Sequence, residues 1–229
     1  MATTTVKVLT DVLKATKEEA ARLRADFAAA GTFVVDLIGG PGCGKTRLLE
    51  ASLAELTRRF RTAVLVGDIA TPRDAERLAG RGAESYQLVT EGACHLSPSL
   101  VRVGVAELVA TLGELPELLI IENVGNLVCP ASFDLGEDVK VAVSATTEGS
   151  EKPEKYPALF RKAAACVLNK IDLIDALDFD REYYWKQVRR INPQILGLEL
   201  SAKTGAGVAA WIDWLSQRVA DKRKNRSGA

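Results

Sequence analysis

The chain has one histidine, one methionine and four cysteines in 229 residues. A protein that stores metal by mass of ligand needs many imidazoles, so a single histidine argues against a metal store or buffer. The four cysteines show no C-x-x-C spacing and no partner H-x3-H, so no zinc-finger frame is present. Charge of neither sign dominates. Thirty Lys and Arg oppose thirty Asp and Glu, and no net field steers the protein toward nucleic acid or an acidic membrane. Long apolar runs are missing too. A membrane span needs about 18 nearly uninterrupted apolar residues, whereas the run Leu118–Ile121 stops at Glu122 and Asn123. At the N-terminus, Asp11, Lys14 and Lys17 fall where a signal peptide needs its apolar stretch. A cytoplasmic protein with reduced thiols is expected, which makes two disulfides the wrong reading of Cys43, Cys94, Cys129 and Cys166. The basic cluster Lys222–Arg226 reads as part of a solvated tail over 221–229.

What is present is the composition of a folded domain. Hydrophobic residues make up 47% and charged residues 26%, and the length suits one domain over 1–229, with an N-terminal helical extension over about 1–30. Short apolar runs alternate with amphipathic stretches. Strands are predicted at Phe33–Ile38, Ala63–Val66, Ser85–Val89, Leu118–Ile121, Lys140–Ser144, Ala165–Leu168 and Gln194–Leu198. Several are unbroken Val, Ile and Leu runs, as a parallel sheet covered on both faces requires. Helices are predicted at Lys17–Ala29, Lys45–Arg59, Pro72–Gly80, Ser97–Leu112, Pro153–Ala163, Arg181–Ile191 and Gly207–Lys222. Thr16 and Glu19 have capping-box spacing for the first. The fold class is therefore α/β: one domain with a mostly parallel, doubly wound sheet, flanking helices and an N-terminal helix, and the glycine-rich run Gly39–Thr46 after its first strand makes it a phosphate-loop NTPase domain.

Gly39-Gly40-Pro41-Gly42-Cys43-Gly44-Lys45-Thr46 fits G-x-x-x-x-G-K-[ST] between a strand and a helix. Glycines let successive backbone N–H groups converge on an anion, and the helix N-terminus adds its positive end. Lys45 is placed to reach the β- and γ-phosphates and the Thr46 hydroxyl to ligate Mg²⁺. Cys43 reads as a small tolerated side chain in that loop.

Two acids end strands at the edge where ligands sit in open α/β sheets, Asp68 and Glu122. Either can hold Mg²⁺ or position the attacking water, and either can instead be a loop-bonding carboxylate. Gly125, three residues after Glu122, offers an amide to the γ-phosphate. Asn169-Lys170-Ile171-Asp172 follows another strand. One carboxylate at Asp172 accepts both N1–H and N2–H of guanine, whereas adenine would leave it unpaired. Asn169 suits N7 or a bracing role, and the Lys170 stem suits the base plane. Ser201-Ala202-Lys203 offers a backbone N–H to guanine O6. The nucleotide is therefore GTP or GDP.

His95 adjoins Cys94 in a loop after the third strand, and Cys129 follows Gly125 by four residues. Thiolate and imidazole suit Ni²⁺ and Zn²⁺. Three such groups leave an ion short of four ligands, which a two-fold dimer can complete. The competing reading makes Cys94 a small filler and His95 a hydrogen-bonded loop residue. Cys166 alternates inside a strand and belongs to the core.

Together with Gly67-Asp68, Asp74–Arg77, Gly92-x-Cys94-His95-Leu96, the string Ile121-Glu-Asn-Val-Gly-Asn-Leu-Val-Cys129-Pro-Ala-Ser-Phe-Asp-Leu-Gly136, Glu148–Pro153 and Ser201–Gly205, these residues resemble the HypB family of hydrogenase nickel-incorporation GTPases. The resemblance covers about residues 20–216. It implies a GTPase that dimerises on GTP, binds Ni²⁺ or Zn²⁺ at the subunit interface through Cys94, His95 and Cys129, and works with a HypA-type nickel chaperone toward the hydrogenase large subunit. Many members of that family carry an N-terminal cysteine motif or a histidine-rich stretch for nickel. Neither occurs here, so delivery is expected to rely on the interface site. Two alternatives remain: a urease-type nickel-insertion GTPase, disfavoured because that family separates its Cys and His by a proline, and a GTP switch with no metal role. Lys152 and Asp74 are expected to make charged contacts across a dimer or to phosphate.

Overall fold

In the computed structural model, residues 4–68, 78, 81–90 and 92–227 are described. Seven strands form one sheet: β1 Phe33–Gly39, β2 Thr62–Asp68, β3 Glu84–Val89, β4 Leu118–Glu122, β5 Val139–Ala145, β6 Ala163–Asn169 and β7 Leu196–Glu199. Their spatial order is β3-β2-β4-β1-β5-β6-β7, and every pairing is parallel. All seven C-terminal ends therefore meet one edge, and the chain reverses its direction of winding around the central β1. β1 and β4 are buried at every position, which is why their sequences are continuous rather than alternating.

Helices cover both faces. The described helices are α1 Thr4–Ala30, α2 Lys45–Arg59, α3 Pro98–Leu112, α4 Cys129–Ser132, α5 Lys152–Lys155, α6 Pro157–Lys162, α7 Arg181–Ile191 and α8 Val208–Ser227. On one face, Leu48, Leu53 and Leu56 of α2 and Trp211 and Leu215 of α8 pack on Val35, Leu37 and Val141. The other face holds two apolar clusters. Leu23 and Phe27 of α1 join Val101 and Leu108 of α3 over Val34 and Ile121. Tyr184 and Val188 of α7 join Phe160 over Ile38, Ala142 and Cys166.

The predicted elements recur with several corrections. Thr16 and Glu19 do not start a helix: α1 begins at Thr4, and Glu19 pairs with Arg102 of α3 instead of reaching back along its own backbone. The predicted helix Pro153–Ala163 breaks into α5 and α6 at Tyr156, because Pro157 has no N–H and disfavours a helical residue before it. The seventh strand lies two residues later than expected at its start. The basic stretch expected as a solvated tail is the last turns of α8. There, Lys222 pairs with Asp138 at 2.6 Å, Arg223 with Glu117, and Arg226 donates to the Ala30 carbonyl at 2.6 Å. The predicted helix Pro72–Gly80 falls, apart from the buried Leu78, outside the described residues. No described helix is long and apolar enough to cross a membrane.

Candidate functional site

Three regions lie along the edge where the C-terminal ends of the parallel strands meet. The first is the phosphate loop, where Gly44 is the N-cap of α2 at φ 95°. That backbone is left-handed, and a Cβ on Gly44 would stand 2.4 Å from the Asn169 amide nitrogen. Glycine is required there for both reasons. The Lys45 ammonium is buried and donates to the Gly39 carbonyl at 3.1 Å. The Thr46 hydroxyl donates to Glu122 Oε1 at 2.7 Å. A hydroxyl and a carboxylate brought together at the mouth of the loop are hard oxygen donors of the kind Mg²⁺ takes. Asp68 ends β2 at the same edge, but its side chain lies outside the described residues. Cys43 is buried inside the loop, and burial pushes its thiol up. Gly125 lies against the loop from the other side: a Cβ there would meet Pro41 at 3.2 Å. Lys152 pairs with Glu148 beside Gly40, and Asp74 lies outside the described residues.

The second loop follows β6. Asn169 is buried, and both its Nδ2 and its Oδ1 are engaged. Nδ2 donates to the Cys43 carbonyl at 2.9 Å, while Oδ1 accepts from the N–H of Lys170 at 2.8 Å and of Ala202 at 3.0 Å. One side chain thus ties the phosphate loop, the Asn169–Asp172 segment and the Ser201–Lys203 segment together. Of the two roles open to Asn169 in the sequence, this geometry supplies the bracing one. Lys170 takes the left-handed conformation at φ 62°, held by the Thr146 hydroxyl donating to its carbonyl at 2.8 Å. That turn starts the short 3-10 segment Ile171–Ala176 and leaves the Asp172 side chain exposed.

The third region joins the loops after β3 and β4. Cys94, His95 and Cys129 bring their ligand atoms within 4.8 Å of one another, the sole such cluster of three among the described residues. Cys94 Sγ lies 3.6 Å from His95 Nδ1, and a hydrogen bond with the Cys129 thiol raises the Cys94 pKa. Partial burial holds the His95 imidazole below its ordinary pKa, which keeps it neutral and ligand-competent at neutral pH. Its ring stacks on Phe133, centroids 3.8 Å apart and planes 24° apart. Asn126 Nδ2 donates to the Cys94 carbonyl at 3.2 Å, joining the two loops. Two sulfurs and an imidazole nitrogen at this separation are a soft donor set of the kind Ni²⁺ and Zn²⁺ take. Cys166 is absent from the cluster. It is fully buried, its Sγ 3.2 Å from Tyr184 Oη, and its pKa is pushed up to about 12 by desolvation.

Sequence reading overlooked a charged group beneath this cluster. Asp36, in the middle of β1, is wholly buried and pairs with Lys140 of β5 at 2.8 Å. The signal was present: one acid inside an otherwise apolar, fully buried strand.

Comparison with known proteins gives a consistent set of likenesses. Residues 33–197 match the family described as CobW/HypB/UreG, nucleotide-binding domain. The chain is 42% identical to the hydrogenase maturation factor HypB of Azotobacter vinelandii over 98% of its own length and 73% of that protein's. Among solved structures it resembles HypB of Helicobacter pylori in complex with nickel, with a TM-score of 0.83 at 32% identity, covering 92% of this chain and 96% of that one. It also resembles the hydrogenase maturation factor HypB of Archaeoglobus fulgidus, with a TM-score of 0.81 at 33% identity, covering 90% and 99%.

Proposed function

Since the chain belongs to the CobW/HypB/UreG family of nucleotide-binding domains, alongside the HypB hydrogenase maturation factors, we propose that it is a GTP-hydrolysing nickel metallochaperone. In this reading it binds nickel or zinc at a dimer interface that forms with GTP, and delivers nickel for hydrogenase maturation in the cytoplasm. The observation that carries the reading is the position of the soft cluster. Cys129 lies seven residues after Glu122, the carboxylate bonded to Thr46 of the phosphate loop.

The roles follow from the groups present. Backbone N–H groups of Gly39, Gly40, Gly42, Cys43 and Gly44 surround the phosphates, and Lys45 leaves the Gly39 carbonyl for the β- and γ-phosphate oxygens. Thr46 with Glu122 or Asp68 would hold Mg²⁺, which when bound neutralises charge developing on the phosphates. The carboxylate not used as a ligand positions the attacking water. Asp172 selects guanine, Lys170 packs on its plane, and the Ser201–Lys203 segment supplies a backbone N–H to O6. Gly125, packed on Pro41, offers its amide to the γ-phosphate.

Hydrolysis removes that contact and relaxes the segment 122–129, moving Cys129 relative to Cys94 and His95. Metal affinity and nucleotide state are then linked, and linkage acts in both directions. Three soft donors from one chain leave a divalent ion short of a full set, so the two-fold copy supplies the remainder. A HypA-type nickel chaperone and the hydrogenase large subunit are the partners this places on either side of the transfer.

The test is a nickel titration of the GDP and non-hydrolysable GTP-analogue forms, comparing wild type with Cys94→Ala, with gel filtration of both forms. The expected result is a dimer with the GTP analogue, more monomer with GDP, and nickel binding that depends on both nucleotide and Cys94. A monomer in both states whose nickel binding survives Cys94→Ala refutes the proposal and leaves a guanine-nucleotide switch.

A further inference from the structure

β1 places Val34, Asp36 and Ile38 on one face of the sheet. Val34 and Ile38 enter the two apolar clusters of that face, and Asp36 stands between them. The Asp36 carboxylate has two arms. Oδ1 accepts from Asn123 Nδ2 at 2.9 Å, and Oδ2 accepts from Lys140 Nζ at 2.8 Å. Lys140 is its direct partner in the β1–β5 register.

Each arm ends on one half of the soft cluster. Asn123 Oδ1 accepts the N–H of Leu96, the residue after His95, at 3.3 Å, and the N–H of Val124 at 3.0 Å. Leu96 is itself buried, so the loop carrying Cys94 and His95 is pinned at its inner end. On the other side, Lys140 Nζ donates to the carbonyls of Phe133 at 2.8 Å and Pro130 at 3.4 Å. These are the residue whose ring stacks on His95 and the residue after Cys129. Glu137 faces the same ammonium at 2.9 Å.

We propose that Asp36 is a positioning residue for the cluster Cys94–His95–Cys129, setting through Asn123 and Lys140 the distance between its two loops. The inference rests on the reading of those three residues as metal ligands. An apolar pair at 36 and 140 would fill this space with no charge to desolvate, so packing alone gives no reason for an ion pair here. The two N–H donors on Asn123 Oδ1 fix which way its amide points. A carboxylate, with two acceptor oxygens, satisfies an amide and an ammonium together. A carboxamide in its place has one acceptor and must present N–H to one of them.

Asp36→Asn, titrated with Ni²⁺ alone, is expected to bind about 10- to 100-fold more weakly, the usual cost of losing an outer partner of a metal site. The thiolate-to-nickel absorption band should shift or weaken, while GDP affinity stays within about twofold. The double variant Asp36→Leu/Lys140→Met separates positioning from packing. It should keep a cooperative melting transition, lowered because Glu137 loses its ammonium, and still lose nickel affinity. Wild-type nickel affinity and an unchanged band in either folded variant overturn the inference. Cys94→Ala is titrated in parallel. Were it to bind nickel as wild type does, the ligand reading itself would fall; were it to lose nickel while the position-36 variants keep it, only the positioning role would fall.

Discussion

The phosphate loop and the thiol–imidazole cluster share one edge of the sheet and are built by opposite means. Backbone conformation defines the loop: a left-handed glycine at 44, successive N–H groups, and one asparagine that clamps three segments. Its charged lysine is buried and seated on a carbonyl. Side chains alone define the cluster, drawn from two loops that are remote in sequence. Cys94 is exposed, His95 and Cys129 half-buried, and what keeps them together is a polar framework running through the core below. A site made of backbone is specified wherever its local motif occurs. A site made of side chains is specified only once the tertiary fold exists.

That contrast can be broken most sharply at the base-recognition end. Asp172→Asn should invert the preference between guanosine and xanthosine triphosphates by about 10³- to 10⁴-fold, because a site built for one hydrogen-bond pattern rejects its complement strongly. Competition binding with the two nucleotides reads this out, and unchanged selectivity would remove Asp172 from base recognition. Nickel binding without nucleotide should be untouched by the same substitution. Next in size, Lys45→Ala should slow hydrolysis by about 10²- to 10³-fold, the usual loss when one preorganised charge donor is removed from phosphoryl transfer. Single-turnover hydrolysis measures it, and a rate within threefold of wild type, on the order of experimental scatter, would exclude Lys45 from catalysis.

The cluster side is sharpened by thiol chemistry. With iodoacetamide at pH 8, the accessible Cys94 and Cys129 should label before the buried thiols, and Ni²⁺ should slow that labelling by about tenfold or more, since a metal-bound thiolate is withdrawn from attack. Cys166, with its pKa near 12, keeps only about 10⁻⁴ of its sulfur as thiolate at that pH and should stay unmodified, as should the buried Cys43. Mass mapping after a short exposure decides it; early modification of Cys166 would mean that the packing around Tyr184 opens readily. The smallest effect belongs to neither site. Lys222→Ala removes a half-exposed pair to Asp138 and should cost about 0.5 kcal/mol in urea unfolding. A much larger loss would mean that the end of α8 is structurally required.

The same contrast explains what could be read from the sequence. The phosphate loop, the Asn169–Asp172 segment and most strands were legible because each is a local pattern of glycines, apolar runs and turn residues. Cys94, His95 and Cys129 could be named as soft ligands, but spacing alone left a filler reading open, since their meeting depends on β4 lying between β1 and β2. Asp36 and Lys140 went unread for a related reason. They are 104 residues apart, and only the β1–β5 register makes them neighbours. The start of α1 was missed because Thr16 and Glu19 imitate a cap, whereas Glu19 is recruited by Arg102 from another helix. The break at Tyr156 was available in the sequence: Pro157 marked it, and the amphipathic pattern outweighed it. The α8 terminus looked like a tail because its anchoring acids, Asp138 and Glu117, are remote in the chain.

The seat of Lys45 on the Gly39 carbonyl has a consequence for turnover. A cation shut into a closed pocket resists departure of the anion that matches it, because leaving would strand the charge. Here the Lys45 ammonium already has an oxygen of the loop itself as its partner, six residues upstream, so the buried charge stays compensated and the loop keeps its shape whether or not an anion lies against it.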